Sequence, residues 1–556
     1  MVTCSSYQRA DLLKQMSTVQ MDVLIIGGGI TGAGIALDAT TRGLTTGLVE
    51  MQDFASGTSS RSTKLVHGGL RYLKQLEMNI VREVGRERAI VYENGPHVTT
   101  PEWMMLPFHQ GGTFGPFTTN IGLRIYDWLA GVKKEERRKM LNAKEALQKE
   151  PLIKREGLKG AGYYVEYKTD DARLTIEVIK KAVEKGARAL NYAKATDFMY
   201  DSSGQVKGVI VTDRITGETY KMYAKKVINA TGPWVDELRH VDGSRQGKTL
   251  HLTKGVHLVF SQQVFPLQQA IYFDSPDGRM IFAIPRSNKT YVGTTDTDYE
   301  GDIAHPTTTV EDRDYILRAI RYMFPSLHVT AADVESSWAG LRPLIASGEG
   351  KKPGEISRKD EMFLSDSNLI SIAGGKLTGY RKMAEQVVDL VVKQIKKEDE
   401  ILYSNSETEH LPISGGEVGG AKGFAAFITD KTKEGVNIGL SEKEARQLVS
   451  MYGSNVDILF DIILNRKTEA EKERMDLVVF AQLIYGIEYE FVYTPADFFI
   501  RRTGALFFDI NGVEEQMTAV IHYMAKAFDW TDEQKTTYTD ELSQSLRQAK
   551  INASQS

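Results

Sequence analysis

The sequence predicts an α/β fold in which a parallel sheet, assembled from separated stretches of chain, is interleaved with an antiparallel sheet and followed by a C-terminal helical region. Three observations carry this expectation. Val23 to Ile26 is a short apolar run leading into glycines at 27, 29 and 32, with a helical pattern and a second apolar run behind them. Residues 250 to 300 alternate β-type runs with turn residues, as in HLTKGVHLVF, QAIYFD, RMIFAIP and TYVGTTD separated by SPDG and RSNK, which is a meander rather than a crossover unit. Beyond about residue 400 the periodicity is helical over Ser441 to Tyr452, Asp457 to Leu464 and Arg474 to Tyr485.

In the first unit Gly27, Gly29 and Gly32 stand in G-x-G-x-x-G register. The first permits a tight turn, the second lets a pyrophosphate approach the backbone, and the third lets the helix from Ile30 to about Arg42 pack on the strand. Ile30 and Thr31 open that helix, so their amides face the phosphates. Leu44 to Val49 is the second strand. Glu50 closes it, placed to accept hydrogen bonds from both hydroxyls of an adenosine ribose, and an acid there disfavours a 2′-phosphate and hence NADP.

Composition narrows the function further. A chain of 556 residues is too long for one core. The formal charge of -4 supplies no basic field for nucleic acid. The single cysteine, Cys4, fits a reducing cytoplasm and falls in what reads as a loose N-terminal extension, away from any cofactor it could tether. No stretch of about 18 apolar residues exists to span a bilayer. A peripheral contact with the inner face of the plasma membrane and a dimeric state are compatible with this composition and not decided by it.

After Glu50, seven of the twelve residues from Asp53 to Lys64 are Gly, Ser or Thr, in a loop that leaves the ligand end of the second strand. The loop runs into His67-Gly68-Gly69-Leu70-Arg71-Tyr72, where a glycine pair between two cation-capable side chains suggests backbone pressed against a flat ring. A helix is expected over Asn79 to Asn94. Trp103 to Phe108 and Phe114 to Trp128 read as core segments, with a membrane- or quinone-facing patch as the alternative, and KKEERRK at 133 to 139 reads as a solvated helix face. A helix capped at Asp170 or Asp171 stops at Gly186, and Ala189 to Thr196 follows as a strand. A hairpin over 206 to 223 precedes the buried strand Val227 to Asn229, which ends in Ala230-Thr231-Gly232-Pro233-Trp234. Then come a helix from Val310 to Met323, the segment SWAGLRPLI, a last strand from Leu369 to Ala373, and a helix from about Leu377 to Ile395.

FASGTSSRSTKLVHGGLRYL, residues 54 to 73, resembles the signature of the FAD-dependent glycerol-3-phosphate dehydrogenases, members of the D-amino-acid-oxidase-like flavoprotein superfamily. The segments AGLRPL, SRKD and GGKLT match the same family. The resemblance implies a two-dinucleotide-binding-type Rossmann-like FAD domain (about 17–105, 160–245 and 350–400) interleaved with a substrate domain (about 106–159 and 246–349), before a C-terminal helical domain at 401–556. It implies non-covalent FAD held by the first glycine motif and Glu50, by Ser60, Arg61, Ser62, Thr63, Lys64, Leu65, His67, Gly68, Gly69 and Leu70, by the backbone near Ala195, and by Thr231, Gly232 and Trp234. Gly375, Lys376, Leu377 and Thr378 open a helix whose amides would meet the flavin pyrimidine edge. No metal ligand set is seen.

Hydride transfer from an alcohol carbon to flavin N5 needs a substrate anchor, a proton acceptor and positive potential beside the reduced ring. A phosphate dianion calls for several cationic donors, whereas a carboxylate can be held by one arginine. The resemblance places Arg71, Arg342, Arg358 and Lys376 beside substrate, with Tyr72 and His257. His67 and His257 are the candidate bases, His67 slightly preferred, and Arg342 would polarise the C2 oxygen. The resemblance implies oxidation of sn-glycerol 3-phosphate to dihydroxyacetone phosphate and, because the insertion that marks the family's oxygen-using oxidases is not seen between Trp338 and Gly374, a quinone as electron acceptor. The alternatives are a glycerol-3-phosphate oxidase, an amino acid or amine oxidase of the same fold, and a flavin-binding scaffold without activity.

Overall fold

The computed structural model describes residues 4–67, 78–129, 136–346 and 360–551. Met21–Ile26 is the strand that the glycine motif requires, and its place in the sheet explains its composition. It runs parallel to Thr46–Val49 on one side and to Thr219–Asn229 on the other. A strand so enclosed is apolar on both faces, and Val23, Leu24 and Ile25 are fully buried. Arg188–Leu190 and Ile370–Ala373 extend the parallel sheet, and Glu361–Leu364 adds an antiparallel edge. Strand order reverses beside Met21–Ile26, so the turn after Ile26, Glu50 after Val49 and Ala230-Thr231 after Asn229 open on one crevice.

The helix Ile30–Thr41 closes over this sheet because two of its glycines remove Cβ atoms where packing is tightest. A Cβ on Gly32 would lie 1.9 Å from the Gly27 carbonyl oxygen, and one on Gly34 would lie 2.9 Å from the ring of Tyr380 at the start of Tyr380–Asp399. The second sheet centres on Thr249–Ser261, which pairs with Lys289–Gly293 and, along most of its length, with Ser336–Ala346. Met280–Arg286 and Ala270–Asp274 continue it towards Thr99–His109 and Leu158–Thr169. In this register His257 lies opposite both Trp338 and Gly293, and Thr253 lies opposite Arg342. His257 and Arg342, far apart in sequence, are thereby brought onto adjacent paired strands.

Several expectations are corrected. Ala189 to Thr196 is not one strand: Tyr192 takes a left-handed backbone (φ 53°), which ends Arg188–Leu190 and redirects the chain into Ala193–Tyr200. The hairpin pairs Val206–Asp213 with Thr219–Asn229, and its second arm is continuous with the buried strand expected to follow it separately. The described part of KKEERRK is not α-helical. Glu136 accepts a hydrogen bond from the Tyr167 hydroxyl, Arg138 donates to Asn120, and Lys139 opens the strand Lys139–Leu141 over the ring of Trp103. The helix expected from Leu377 starts as a 3-10 turn and becomes α-helical only at Tyr380. The core reading holds for Met104 to Leu106 and Phe108, and for Leu123 and Tyr126 on the helix Pro116–Leu129, whereas Phe117 (76% exposed) and Ile121 face outward. Cys4 is buried rather than loose, its carbonyl accepting from Phe491 N–H, and burial pushes its thiol pKa up.

The C-terminal region is helical, including Gly420–Asn437, Ile510–Ala527 and Asp532–Ala549, which lie outside the three periodic segments noted above. Its apolar residues join the same cluster as Leu65, Met104 and Trp338 of the antiparallel sheet. At the junction the ring of His97 fits between the backbones of Gly415 and Gly453. Burial, helped by Arg173 and Lys180 against the opposing pull of Glu177, holds its pKa at about 4. The unfolded chain would take up that proton near the ordinary histidine value, so stability falls as pH drops from about 6.5 towards about 4 and is unaffected above. His97→Phe is expected to flatten the pH dependence of the unfolding free energy by about 2 kcal/mol between about pH 7.5 and 5. Equal slopes in denaturant titrations of the two proteins would contradict this.

Candidate active site

The crevice at the ends of the parallel strands is a cavity of about 230 Å³ lined by Gly27, Gly29, Ile30, Thr31, Glu50, Ala195, Thr231, Gly232, Trp234, Gly375, Lys376 and Leu377, among others. Glu50 is fixed in place by two backbone donors, Oε2 accepting from Gly28 N–H at 2.7 Å and Oε1 from Gln52 N–H at 2.8 Å. Burial raises its pKa while those donors pull it down, with a net upward shift. The first helical amide, that of Ile30, donates to Ser59 Oγ at 2.9 Å. Gly232 has a left-handed backbone (φ 57°), and a Cβ added there would meet nothing within 4 Å, so the glycine keeps a space open on the cleft wall.

A second cavity of about 160 Å³ adjoins the first and shares Thr58, Ser62, Pro343, Gly375, Lys376 and Leu377 with it. His67, His257, Arg342, Lys376 and Thr378 line it. Arg342 lies flat across Gly255: its Nη1 donates to Thr295 O at 3.0 Å and to Asp296 Oδ1 at 3.1 Å, and its Nη2 to Thr294 Oγ1 at 2.8 Å. A Cβ on Gly255 would sit 2.6 Å from Nη2, which is why this strand position has no side chain. His257 stacks on Trp338 at 4.7 Å between ring centres and meets Thr63 Oγ1 through Nε2 at 3.1 Å. Burial first, then the charges of Arg342 and Lys64, drive the His257 pKa well below the ordinary value, so the ring is neutral. His67 is half-buried, with its ring edge-on to Phe282.

Most of the residues expected at the site therefore line one of these two cavities, Arg61, Thr63 and Leu65 in the second. Three do not. Gly32 is used for packing, Ser60 is buried with no hydrogen-bond partner for its Oγ, and Lys64 turns its ammonium to Asp171 at 2.5 Å and to the Ser60 carbonyl. Gly68, Gly69, Leu70, Arg71, Tyr72 and Arg358 lie outside the described residues. In the loop after Asp53 the wall of the first cavity is built by Ser56, Gly57, Thr58 and Ser59, upstream of the residues expected, together with Ser62. The density of hydroxyls in this loop was the legible signal. Gly340 completes the contact: a Cβ there would lie 2.2 Å from the Arg61 carbonyl oxygen, and Thr58 Oγ1 donates to Leu341 O. Met51, Lys194, Glu237 and Met383 also line the first cavity, and nothing in their local sequence marks them.

An acceptor at one end, helix amides at the centre and a glycine turn carrying a lysine at the other suit an extended dinucleotide with a flat ring at the lysine end. Fold and cleft thus define an oxidoreductase of the FAD-binding class. A family model described as FAD dependent oxidoreductase matches residues 22–377, and one described as the C-terminal domain of alpha-glycerophosphate oxidase matches 406–535. The chain is 62% identical over 547 residues to an aerobic glycerol-3-phosphate dehydrogenase of Bacillus subtilis, covering 98% of each, and 57% identical over 98% of each to that of Staphylococcus aureus. A crystal structure of the glycerol-3-phosphate dehydrogenase from Bacillus halodurans complexed with FAD superposes with a TM-score of 0.86 at 52% identity, covering 99% of both chains. The chain belongs to the FAD-dependent oxidoreductase family, in its aerobic glycerol-3-phosphate dehydrogenase branch. An L-alpha-glycerophosphate oxidase structure from Mycoplasma pneumoniae, 17% identical with a TM-score of 0.56 over 70% of this chain and 97% of that one, shares the fold.

Proposed function

We propose that this protein oxidises sn-glycerol 3-phosphate to dihydroxyacetone phosphate using non-covalently bound FAD and passes the electrons to a quinone. The observation that carries this reading is the convergence of His67, His257, Arg342 and Lys376 on one cavity at the glycine-turn end of the crevice. Two cationic side chains there suit a phosphate dianion better than the single bidentate arginine that serves a carboxylate. The names of the relatives point the same way.

Gly27, Gly29, Ile30, Thr31, Glu50, Ala195, Thr231, Gly232 and Trp234 would hold the nucleotide, and Gly375 to Thr378 the ring. Bound FAD supplies the hydride acceptor. Lys376 and Arg342 draw the phosphate and the C2 oxygen into place, and Arg342 steadies the oxygen as its proton leaves. His67 takes that proton, and neutral His257 orients the hydroxyl as a hydrogen-bonding partner. Anaerobic addition of glycerol 3-phosphate is expected to bleach the flavin absorbance near about 450 nm. An equal response to unphosphorylated glycerol, or reduction by glycine in its place, would overturn the phosphate reading.

Arg342 can face the substrate only while Gly255 leaves room for it. Gly255→Ala is expected to raise KM for glycerol 3-phosphate by about tenfold to a hundredfold, the equivalent of an overpacking cost of about 1–3 kcal/mol, with FAD content unchanged. Steady-state kinetics beside a flavin-to-protein ratio check this. Among the described residues no helix is long and apolar enough to cross a membrane. Phe117, Ile121 and Arg124 share one outward face of Pro116–Leu129, and this supports a peripheral contact with the membrane that holds the quinone. Phe117→Ser is expected to lower sedimentation with anionic vesicles and to leave turnover with a water-soluble dye unchanged.

A further inference from the structure

The residues after Glu50 are tied to the C-terminal region by charges that the chemistry above does not use. Asp53, three positions beyond Glu50, is fully buried. Its carboxylate receives both terminal nitrogens of Arg502, at 2.8 Å each, and the Nε of Arg501. Burial alone would raise Asp53, but Arg502 and Arg501 overcome it and hold its pKa at about 2. Both arginines project from a π-helical turn, Asp497–Arg502, and π turns recur at functional positions.

The same turn reaches the other wall of the crevice. Tyr192 donates from its hydroxyl to Asp497 Oδ1 at 2.6 Å and from its backbone N–H to Gln52 O at 2.8 Å, which sustains a left-handed backbone uncommon for so bulky a residue. Asn191 Nδ2 bridges Asp53 Oδ1 and Phe491 O. Ala193 N–H donates to Glu50 O, and Gln52 N–H to Glu50 Oε1. Asp53 is thus bonded to this turn directly, Gln52 through Tyr192, and Glu50 through Gln52 and Tyr192 in succession.

We infer that Arg501 and Arg502 are positioning residues for the cofactor: the C-terminal region clamps the Glu50–Asp53 segment so that the Glu50 carboxylate meets the adenosine ribose in a fixed orientation. The inference rests on the reading of Glu50 as the ribose acceptor. The test uses the full-length apoprotein reconstituted with FAD and with its 2′-deoxyadenosine analogue, with affinities from quenching of flavin fluorescence. The native protein should prefer FAD by about tenfold, the scale of one charge-assisted hydrogen bond. Arg502→Lys, which keeps the charge but not the fork, should erase most of that preference. Arg501→Lys should reduce it, and it decides the matter if Arg502→Lys does not fold. Glu50→Gln is the control. If Glu50→Gln keeps the full preference, the ribose reading itself fails. If Glu50→Gln loses the preference while both arginine variants retain it, the clamp is overturned. A loss of affinity that is equal for both cofactors, with a lowered melting temperature of the apoprotein, assigns the arginines to general stability and overturns it as well.

Discussion

Arg342→Ala should cost about 10² to 10⁴ in kcat/KM for glycerol 3-phosphate. The guanidinium is held against Thr294, Thr295 and Asp296 in the cavity that His67, His257 and Lys376 also line, so its removal takes away donors already set in place before substrate arrives. Charge-assisted hydrogen bonds are worth about 1.5–3 kcal/mol each, and two lost at the substrate reach that range. If Arg342 only binds phosphate, KM alone should rise. If it also stabilises charge at the C2 oxygen, kcat should fall too, and Arg342→Lys should recover part of KM and little of kcat because an ammonium does not restore the planar fork. A variant with native kinetics would remove Arg342 from the site.

His67→Asn should lower kcat by about 10² to 10⁴, the usual contribution of a general base, and should do so more than His257→Asn. The reason lies in what a base becomes. After taking a proton the imidazole carries charge, and the buried His257, beside Arg342 and Lys64, has its charged form strongly disfavoured. With its pKa held well below the ordinary value, His257 is the less suited of the two to carry the proton. The acid limb of the kcat/KM profile should therefore persist in His257→Asn and disappear in His67→Asn. The opposite result would make His257 the base and require substrate to neutralise the cations beside it.

Other features follow the same division between local pattern and distant contact. The glycine register at 27, 29 and 32, with Glu50 after the second strand, was legible as a spacing within one β-α-β unit, although the carbonyl that a side chain at Gly27 would strike belongs to the distant Ala230. The helix Val310–Met323 and the Asp170 cap were legible for the same reason, an apolar period bounded by capping residues. The loop after Asp53 was recognisable as a polar wall, but which of its hydroxyls line the cleft, Ser56, Thr58, Ser59 and Ser62, is fixed only by the folded loop. Lys64 illustrates the limit: beside the flavin motif it reads as a cofactor ligand, yet Asp171, more than a hundred residues away, claims its ammonium.

The sequence by itself determined the strand, glycine turn and helix of a nucleotide-binding unit with Glu50 after its second strand, because those features are written in short-range spacing; FAD followed from the family resemblance. Only the tertiary structure decided that Arg342 rests on Gly255 against Asp296, that His257 stays neutral, that Cys4 is buried, and that Arg501 and Arg502 reach Asp53 across more than 400 residues. Such pairings obey no period. A buried charge is stable only where its partner is delivered, and the complete fold alone fixes where that is.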